Sequence, residues 1–206
     1  MTNIHAVGID NVQAAADAVQ HLILLGHQRI AHICGPLDLP AGVQRKRGYQ
    51  QALAKHDIPV DESIIVQGDF RKDGGYEAAR HLLTSPRPPT AIFAANDATS
   101  LGAWKAAREL GLAVPGDLAL VGFDDIELLE LAEIPLTTVR QPLYQMGYLA
   151  MQMLISLIEA DGPLGGLRHV TLPTELVIRG SCGHQPLLPT SQETSRKGGM
   201  PAFTLQ

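Results

Sequence analysis

The chain has 206 residues, 45% of them hydrophobic, and a formal net charge of −5 at pH 7. Such a length and apolar content can bury a sizeable core, as one large domain or two small ones. The acidic balance excludes an overall basic field for binding nucleic acid, although it leaves room for a local basic patch. No Lys or Arg precedes Arg29 and no apolar run approaches the roughly 20 residues that span a bilayer, so we expect a cytoplasmic protein without a secretory signal.

Strand-like and helix-like patterns alternate from the amino end to Asp125. Asp10 stands where a helix N-cap belongs, and Gly26 ends the helix that follows it. Short loops between strands and crossover helices favour an α/β domain with a parallel sheet and right-handed crossovers. In chain order the predicted strands are 4–9, 29–34, 64–66, 91–94 and 118–121, and helices through Leu22, Tyr49, Ala79 and Ala103 connect them.

Beyond Asp125 the pattern changes. Residues 136–139 form a short extended piece, and Pro142 suits the first position of a long apolar helix. Residues 170–178 supply a final strand. The stretch 183–206 is rich in Pro, Ser, Thr and Gly without periodicity, which predicts a disordered tail.

Motifs of catalysis and of cofactor binding are missing from the sequence. It has no GxGxxG, no Walker-type phosphate loop, no HExxH and no GxSxG, and its eight histidines show no ligand spacing. The two cysteines, Cys34 and Cys182, form no CxxC and are interpreted as ordinary thiols. The sequence therefore predicts neither an enzyme nor a cofactor or metal site.

The most informative stretch is 90–125, which forms one strand–helix–strand unit. Asn96 and Asp97 follow its first strand, and Asp124 and Asp125 follow its second. The carboxyl ends of parallel strands border the ligand crevice of open α/β sheets, so these pairs indicate a binding site. Carboxylates there could also hold Mg²⁺ for phosphoryl transfer, but no nucleophile or phosphate loop accompanies them.

Four side chains suit a polar ligand that is held without reacting. Asp124 can accept two hydroxyl hydrogen bonds, Asn96 can donate and accept, and Arg45 offers a planar fork of donors. Phe70 offers a flat apolar face for a sugar or base ring. Taken singly, each has a structural alternative: a helix cap for Asp124, a solvated helix face for Arg45 and the core for Phe70. Because all four are expected in loops after strands, they would converge on one crevice.

Eight short motifs follow one another with specific order and spacing. They are GHQRIA (26–31), RKRGY (45–49), GDF (68–70), PTAIF (89–93), ND (96–97), VPGD (114–117), VGFDD (121–125) and LTTVRQP (136–142). In the order and spacing of these motifs the chain, from Ile4 to Ser181, resembles the lactose/galactose-repressor (LacI/GalR) family of bacterial transcriptional regulators.

The resemblance implies a periplasmic-binding-protein-like α/β fold, with parallel sheets flanked by helices and an effector between two lobes. One lobe would be complete and the other partial. Residues 29–140 and 167–182 would form the carboxyl-terminal, effector-binding lobe. Residues 1–28 and 141–166 would form part of the amino-terminal lobe, with chain crossings near residues 27, 141 and 167.

Carried over motif by motif, the resemblance assigns the effector contacts to Arg45, Phe70, Asn96, Asp124 and Gln141. The effector itself is expected to be a sugar or a purine-like molecule, since both suit an aromatic face surrounded by Asp, Asn and Arg.

In the family the carboxyl-terminal lobe supplies much of a dimer contact. The helix at 98–110 has an Ala-rich face suited to packing on the sheet, whereas Leu101 and Trp104 point elsewhere. We expect these two side chains in a homodimer interface, where Trp is enriched. For Trp104, a partly buried surface aromatic is an equal alternative.

Family members begin with a helix-turn-helix and a hinge helix, followed by the first units of the amino-terminal lobe. None of this precedes Met1, and the lack of Lys or Arg before Arg29 agrees. We therefore expect the effector-sensing and dimerisation core of a repressor that contacts operator DNA only through a region outside these residues. A fragment, a start codon assigned too late and a gene remnant all fit the sequence.

Two other functional classes stay open at this point. A periplasmic-type sugar receptor shares the fold but would need a signal peptide. A Mg²⁺-dependent phosphotransfer enzyme would need Asp97, Asp124 and Asp125 to bind the metal.

Overall fold

The computed structural model describes residues 5–126, 135–159 and 168–183. Within them the chain forms eight strands and five α-helices, alternating as the sequence predicts through the first five strands. The strands are β1 (Ala6–Ile9), β2 (Ile30–Cys34), β3 (Ile65–Gln67), β4 (Ala91–Ala94), β5 (Ala119–Asp124), β6 (Thr137–Arg140), β7 (His169–Leu172) and β8 (Glu175–Val177). The helices are α1 (Asn11–Leu24), α2 (Pro40–Lys55), α3 (Lys72–Leu83), α4 (Asp97–Glu109) and α5 (Leu143–Glu159).

Six strands form the main sheet, in the spatial order β3-β2-β4-β5-β6-β8. Neighbouring strands in it run parallel except β8, which is antiparallel to β6. The other two, β1 and β7, pair in parallel as a separate two-stranded sheet. The predicted fold class, α/β with a parallel sheet flanked by helices, is confirmed.

The main sheet is covered on both faces. β2 and β4 are buried along their whole length, as expected for strands of a parallel sheet between helices. One core cluster joins α3 and α4 to the sheet, and a second joins α1 and α2 to it. Gly75 and Gly102 let α3 and α4 approach closely, because a Cβ on either glycine would collide with the backbone of the other helix.

The boundaries of α1 follow local chemistry and confirm the prediction. Asp10 Oδ1 accepts hydrogen bonds from the backbone nitrogens of Val12 and Gln13 at 3.0 and 2.9 Å, which makes it the N-cap. After the helix ends, Gly26 has φ +95°, a conformation that favours glycine.

Two other helix starts differ from the prediction. α2 begins at Pro40, which suits a first turn because proline lacks the N–H that a helix start leaves unpaired. Residues 45–47 therefore lie within the helix and not in a loop before it. α3 begins at Lys72 and includes Gly74 and Gly75, which were expected to precede it.

The segment expected as one final strand forms two. β7 and β8 flank Pro173 and belong to different sheets, since β7 pairs with β1 and β8 pairs with β6. β7 therefore lies apart from the main sheet, although the prediction groups 167–182 with it. The choice of partner is a long-range property that the local pattern does not contain.

The grouping of α1 also differs from the predicted division at residue 28. Ala15, Ala18 and Leu22 are fully buried in the cluster that contains Tyr49 and Phe93, so α1 packs on the main sheet and not on β1 alone. The sheet to which an amphipathic helix belongs depends on the surface that covers its apolar face. The local sequence does not show that surface.

α5 has no buried residue. Tyr144 is 88% exposed and Ile158 73%, although the helix is rich in apolar side chains. Within the described residues, no helix is both long and apolar enough to cross a membrane. The predicted crossing at residue 167 and the predicted tail from residue 184 onward lie outside the described residues.

Candidate functional site

Three of the predicted side chains meet at the carboxyl end of the main sheet. Arg45, from the second turn of α2, donates through Nη1 to Asp124 Oδ1 at 3.3 Å. Gln141, which follows β6, donates through Nε2 to the same oxygen at 2.6 Å. Asp124 is the last residue of β5, so residues far apart in sequence converge on one carboxylate at the edge expected for a ligand crevice.

Arg45 is fixed on several sides. Nη1 also donates to the backbone oxygen of Ala95 at 2.5 Å, and Nε donates to Asn11 Oδ1 at 2.9 Å. The guanidinium carbon lies 3.6 Å from the centroid of the Phe123 ring, within the range of a cation–π contact. Burial lowers the pKa of Arg45, and the Asp124 carboxylate opposes that shift. A guanidinium held in this way is preorganised rather than free to reorient.

The carboxyl group of Asp124 is influenced by opposing effects. Burial raises its pKa, while Arg45 and Gln141 favour its charged form. Its side chain is 22% exposed, against 7% for Arg45, so the acid is the more accessible partner. The partly exposed carboxylate can accept hydrogen bonds from ligand hydroxyls, and the fixed guanidinium beside it can donate to their oxygens.

Phe70 borders the same crevice. Its ring occupies the space where Gly35 has no side chain, directly after β2. The ring centroid lies 5.9 Å from the guanidinium carbon of Arg45. Phe70 is half-buried, which leaves part of the ring as a flat apolar wall.

Asn96 takes a structural position within the site. It is the N-cap of α4, where Oδ1 accepts from the backbone nitrogen of Thr99 at 2.9 Å. Its amide nitrogen donates to the backbone oxygen of Phe70 at 3.0 Å and so holds the Phe70 loop. With these two contacts made, the second hydrogen of the Asn96 amide group is the one available to a ligand.

Strained backbone conformations concentrate around this crevice. Phe70, Asp124 and Asp125 have φ of +63°, +113° and +57°, and they are three of the four non-glycine residues with positive φ in the described ranges. Such conformations persist where the surrounding structure imposes them, often at ligand sites.

The carboxylates of Asp97 and Asp125 form hydrogen bonds and ion pairs with other residues of the chain. Asp97 is fully buried, accepts from the Thr138 hydroxyl at 2.6 Å and from the Ile126 nitrogen at 3.0 Å, and burial raises its pKa to about 7. Asp125 forms ion pairs with Arg140 and Arg179, both at 2.7 Å. These contacts hold Asp125 and Ile126 and occupy two of the three acids that a Mg²⁺ site would need. No group of three His, Cys, Asp or Glu that could hold a metal occurs in the described part of the chain.

Two features of the site escaped the sequence reasoning. Asn11 supports Arg45 and donates to Gln44 at 3.1 Å, but it lies on α1, which the prediction placed in the other lobe. Phe123 lies under Arg45 and looks like an ordinary strand residue in sequence. The sequence shows Asn11 directly after an N-cap, but its contact with Arg45 requires α1 to pack on the main sheet.

The two predicted interface side chains differ in the structure. Leu101 is 8% exposed and belongs to the core cluster that joins α3 and α4 to the main sheet, which leaves little of its side chain for a partner. Leu101 directly precedes Gly102, where α4 approaches α3 closely. Trp104 is half-buried, with the Arg108 guanidinium carbon 4.7 Å from its ring centroid.

Comparison with curated proteins gives clear relatives. The HTH-type transcriptional repressor CytR of Escherichia coli (strain K12) is 43% identical over 175 residues, 85% of this chain and 51% of the repressor. The ribose operon repressor of the same strain is 42% identical over 173 residues, 84% of this chain and 52% of that repressor. The chain thus spans about half the length of the curated relatives it matches.

The solved structures that are similar to this chain also include transcriptional regulators. The transcriptional regulator CelR–cellobiose complex superposes with a TM-score of 0.82 at 39% identity, covering 87% of this chain and 54% of the other. The transcription regulator CcpA of Lactococcus lactis superposes with a TM-score of 0.78 at 30% identity, covering 85% and 64%. The family model for the periplasmic binding protein-like domain matches residues 19–182. The chain therefore belongs to the periplasmic binding protein-like domain family and, within it, to the effector-binding cores of the LacI/GalR regulators.

Proposed function

We propose that the chain senses a small-molecule effector for a LacI-type transcriptional repressor, in the crevice at the carboxyl end of the main sheet. The observation that carries this proposal is the cluster in which Arg45 and Gln141 both donate to one oxygen of Asp124. The cluster is preorganised by a helix and two strand ends. It holds no nucleophile, and recognition is what such a polar arrangement does best.

The effector we propose is a sugar or a purine-like molecule. A carboxylate beside a guanidinium pairs well with adjacent hydroxyls or with a ring that has donors and acceptors at its edge. The half-buried Phe70 ring supplies an apolar face beside them. One similar structure is a regulator in complex with cellobiose, and one similar repressor belongs to a ribose operon, which favours a sugar.

The rest of the regulator would complete the pocket. We assign β1, β7 and α5 to part of an amino-terminal lobe, and the main sheet with α1 to α4 to the carboxyl-terminal lobe. The crossings would then lie near Asp10, Gln141 and Pro173. The half of the relatives' length that this chain does not span would supply the remainder of the first lobe and the part that reads operator DNA.

Effector binding would act through a shift between lobe arrangements. A ligand moves such an equilibrium only by its difference in affinity for the two arrangements, and operator affinity then changes by linkage. We propose no catalytic step for this chain. A receptor outside the cytoplasm and a Mg²⁺-dependent enzyme are not favoured, because the relatives are transcriptional regulators.

As a regulator of transcription it would act in the cytoplasm as a homodimer. Trp104 is the proposed interface residue, since Leu101 is enclosed in the core. Sedimentation of Trp104→Ala against the parent tests this assignment. An unchanged dimer fraction would remove Trp104 from the interface.

A thermal-shift screen tests the effector site. We expect at least one of cellobiose, ribose, ribose 5-phosphate and adenine to raise the midpoint of unfolding at millimolar concentration, because a ligand that binds only the folded state stabilises it. In Arg45→Lys, which keeps the charge but loses the planar fork, the same ligand should bind about tenfold more weakly.

Arg47→Lys is the matched control, because Arg47 is exposed on the same helix. If both variants bind like the parent, Arg45 is not an effector contact. If none of the four compounds shifts the midpoint, the proposed ligand classes are wrong.

A further inference from the structure

A second cavity lies at the opposite, amino-terminal end of the main sheet. Its volume is about 570 Å³, and it opens beside Ile30, where β2 begins. The length of that strand, roughly 16 Å, separates it from the proposed effector crevice. Tyr49, Leu53 and Ile64 line it with side chains that are at most 5% exposed. The Tyr49 hydroxyl is already engaged, since it donates to the Ile30 oxygen at 2.8 Å, so its ring serves as wall.

On one side of this cavity the polar groups form hydrogen bonds with one another. Arg29 donates to Asp61 Oδ2 at 2.8 Å and to the backbone oxygen of Arg87 at 2.9 Å, which ties the rim together. The Ser63 hydroxyl and Arg29 lower the pKa of Asp61 to about 2, so this acid is charged and paired. The pair is neutral as a whole and holds its shape without a ligand.

Two groups on the other side have no such partners. His56 Nε2 is buried, yet among the described residues it has no hydrogen-bond partner, which is rare for a buried polar atom. Arg87 presents an exposed guanidinium that takes part in none of the ion pairs formed by the described side chains. His56 Nε2 is enclosed in the wall of the cavity, whereas the Arg87 guanidinium faces solvent and can donate hydrogen bonds to a ligand. Asp57, also exposed on the rim, is the remaining charge.

We propose that this cavity is a second ligand site, for a small aromatic carboxylate. The ring would rest on Leu53, Ile58 and Ile64, and the carboxylate would accept from the guanidinium of Arg87, which lines the cavity. Arginine suits this role because its planar fork matches the geometry of a carboxylate. Asp57 on the rim disfavours a second negative group, which selects a monoanion over a dianion.

Titration of the ¹⁵N-labelled chain with benzoate, followed by NMR, tests the site. We expect saturable shifts of the amides of His56, Ile58 and Asp61, while those of Phe70 and Asp124 stay in place. Benzyl alcohol, which keeps the ring and lacks the charge, should bind about tenfold more weakly. Arg87→Ala should weaken benzoate binding by a similar factor, about tenfold.

Arg47→Ala is the matched control, since Arg47 is an exposed arginine that does not line the cavity. The unfolding midpoint of each variant verifies its fold, and the exposure of Arg87 makes a folding defect there unexpected. Three results would each overturn the proposal: no saturable shift at millimolar benzoate, shifts centred on Phe70 and Asp124, or equal affinities of Arg87→Ala and Arg47→Ala. The effector proposal does not depend on any of them.

Discussion

The main sheet and α5 differ in what covers their apolar side chains. Ile33, Ile92 and Leu120 of the sheet are fully buried, whereas α5 has an apolar sequence and no buried residue. Removal of apolar area from water is the main force that stabilises a fold. The main sheet with α1 to α4 therefore contains its own core, while the apolar side chains of α5 stay exposed in the described part of the chain. Apolar content alone does not decide burial; a partner surface does.

The largest expected effect comes from Phe93→Ala. Phe93 is fully buried in β4, and its ring stacks on His32 at a centroid distance of 4.9 Å. Loss of a buried Phe ring typically lowers the free energy of unfolding by about 3–5 kcal/mol. Urea denaturation followed by far-UV circular dichroism measures the change. A loss below about 1 kcal/mol would show that the main sheet lacks the tight core assigned to it.

The second prediction concerns how the free energy of unfolding depends on pH. Burial raises the pKa of Asp97 to about 7 in the folded chain, against 3.8 for the free group, so folding favours its neutral form. The stability from this group is therefore complete below pH 3.8 and is lost as the pH rises through about 7.

Asp97→Asn removes this titration. We expect its free energy of unfolding to fall less between pH 5 and 7.5 than that of the parent, by an amount of about 2 kcal/mol. Denaturation curves at a series of pH values measure the slope. Parallel profiles for parent and variant would mean that Asp97 is charged throughout this range.

Asp10→Ala tests the grouping of α1 with the main sheet. Loss of an N-cap typically costs about 1 kcal/mol. If α1 is part of this body, the loss appears in its cooperative unfolding, as judged from the amide exchange of β4 and β5. Unchanged amide exchange in β4 and β5 would contradict this grouping and support the assignment of α1 to the amino-terminal lobe.

The smallest expected effect comes from Tyr144→Ala on α5. Tyr144 is 88% exposed, so its truncation should change the free energy of unfolding by less than about 0.5 kcal/mol. Urea denaturation under the conditions used for Phe93→Ala gives the matched aromatic comparison. A loss above about 1 kcal/mol would mean that α5 is covered in solution.

Much of the site could be predicted from sequence because it depends on local rules. Polar residues at the end of β5 indicated Asp124, since parallel strands share one carboxyl edge, whereas Gln141 was assigned only through the family resemblance. Arg45 was predicted to reach the crevice from a loop, but it does so from within α2, which begins at Pro40. The support from Asn11 was not predictable, because it requires knowing that α1 packs on the main sheet.

The same limit explains the errors in the fold. The burial of Leu101 depends on α3 and the main sheet, which contribute to the same core cluster. The separation of β7 from β8 depends on pairing with strands distant in sequence. Periodicity reports which residues share a face, but it does not report which element covers that face.

Calorimetric titration of Asp124→Asn tests the effector site most directly, with the compound that gives the largest thermal shift as ligand. Asp124 accepts from both Arg45 and Gln141, so loss of its charge should weaken binding about tenfold or more. Asp73→Asn, which changes an exposed acid in the first turn of α3, should bind like the parent. Equal affinities of the two variants would contradict the assignment of the crevice as the effector site.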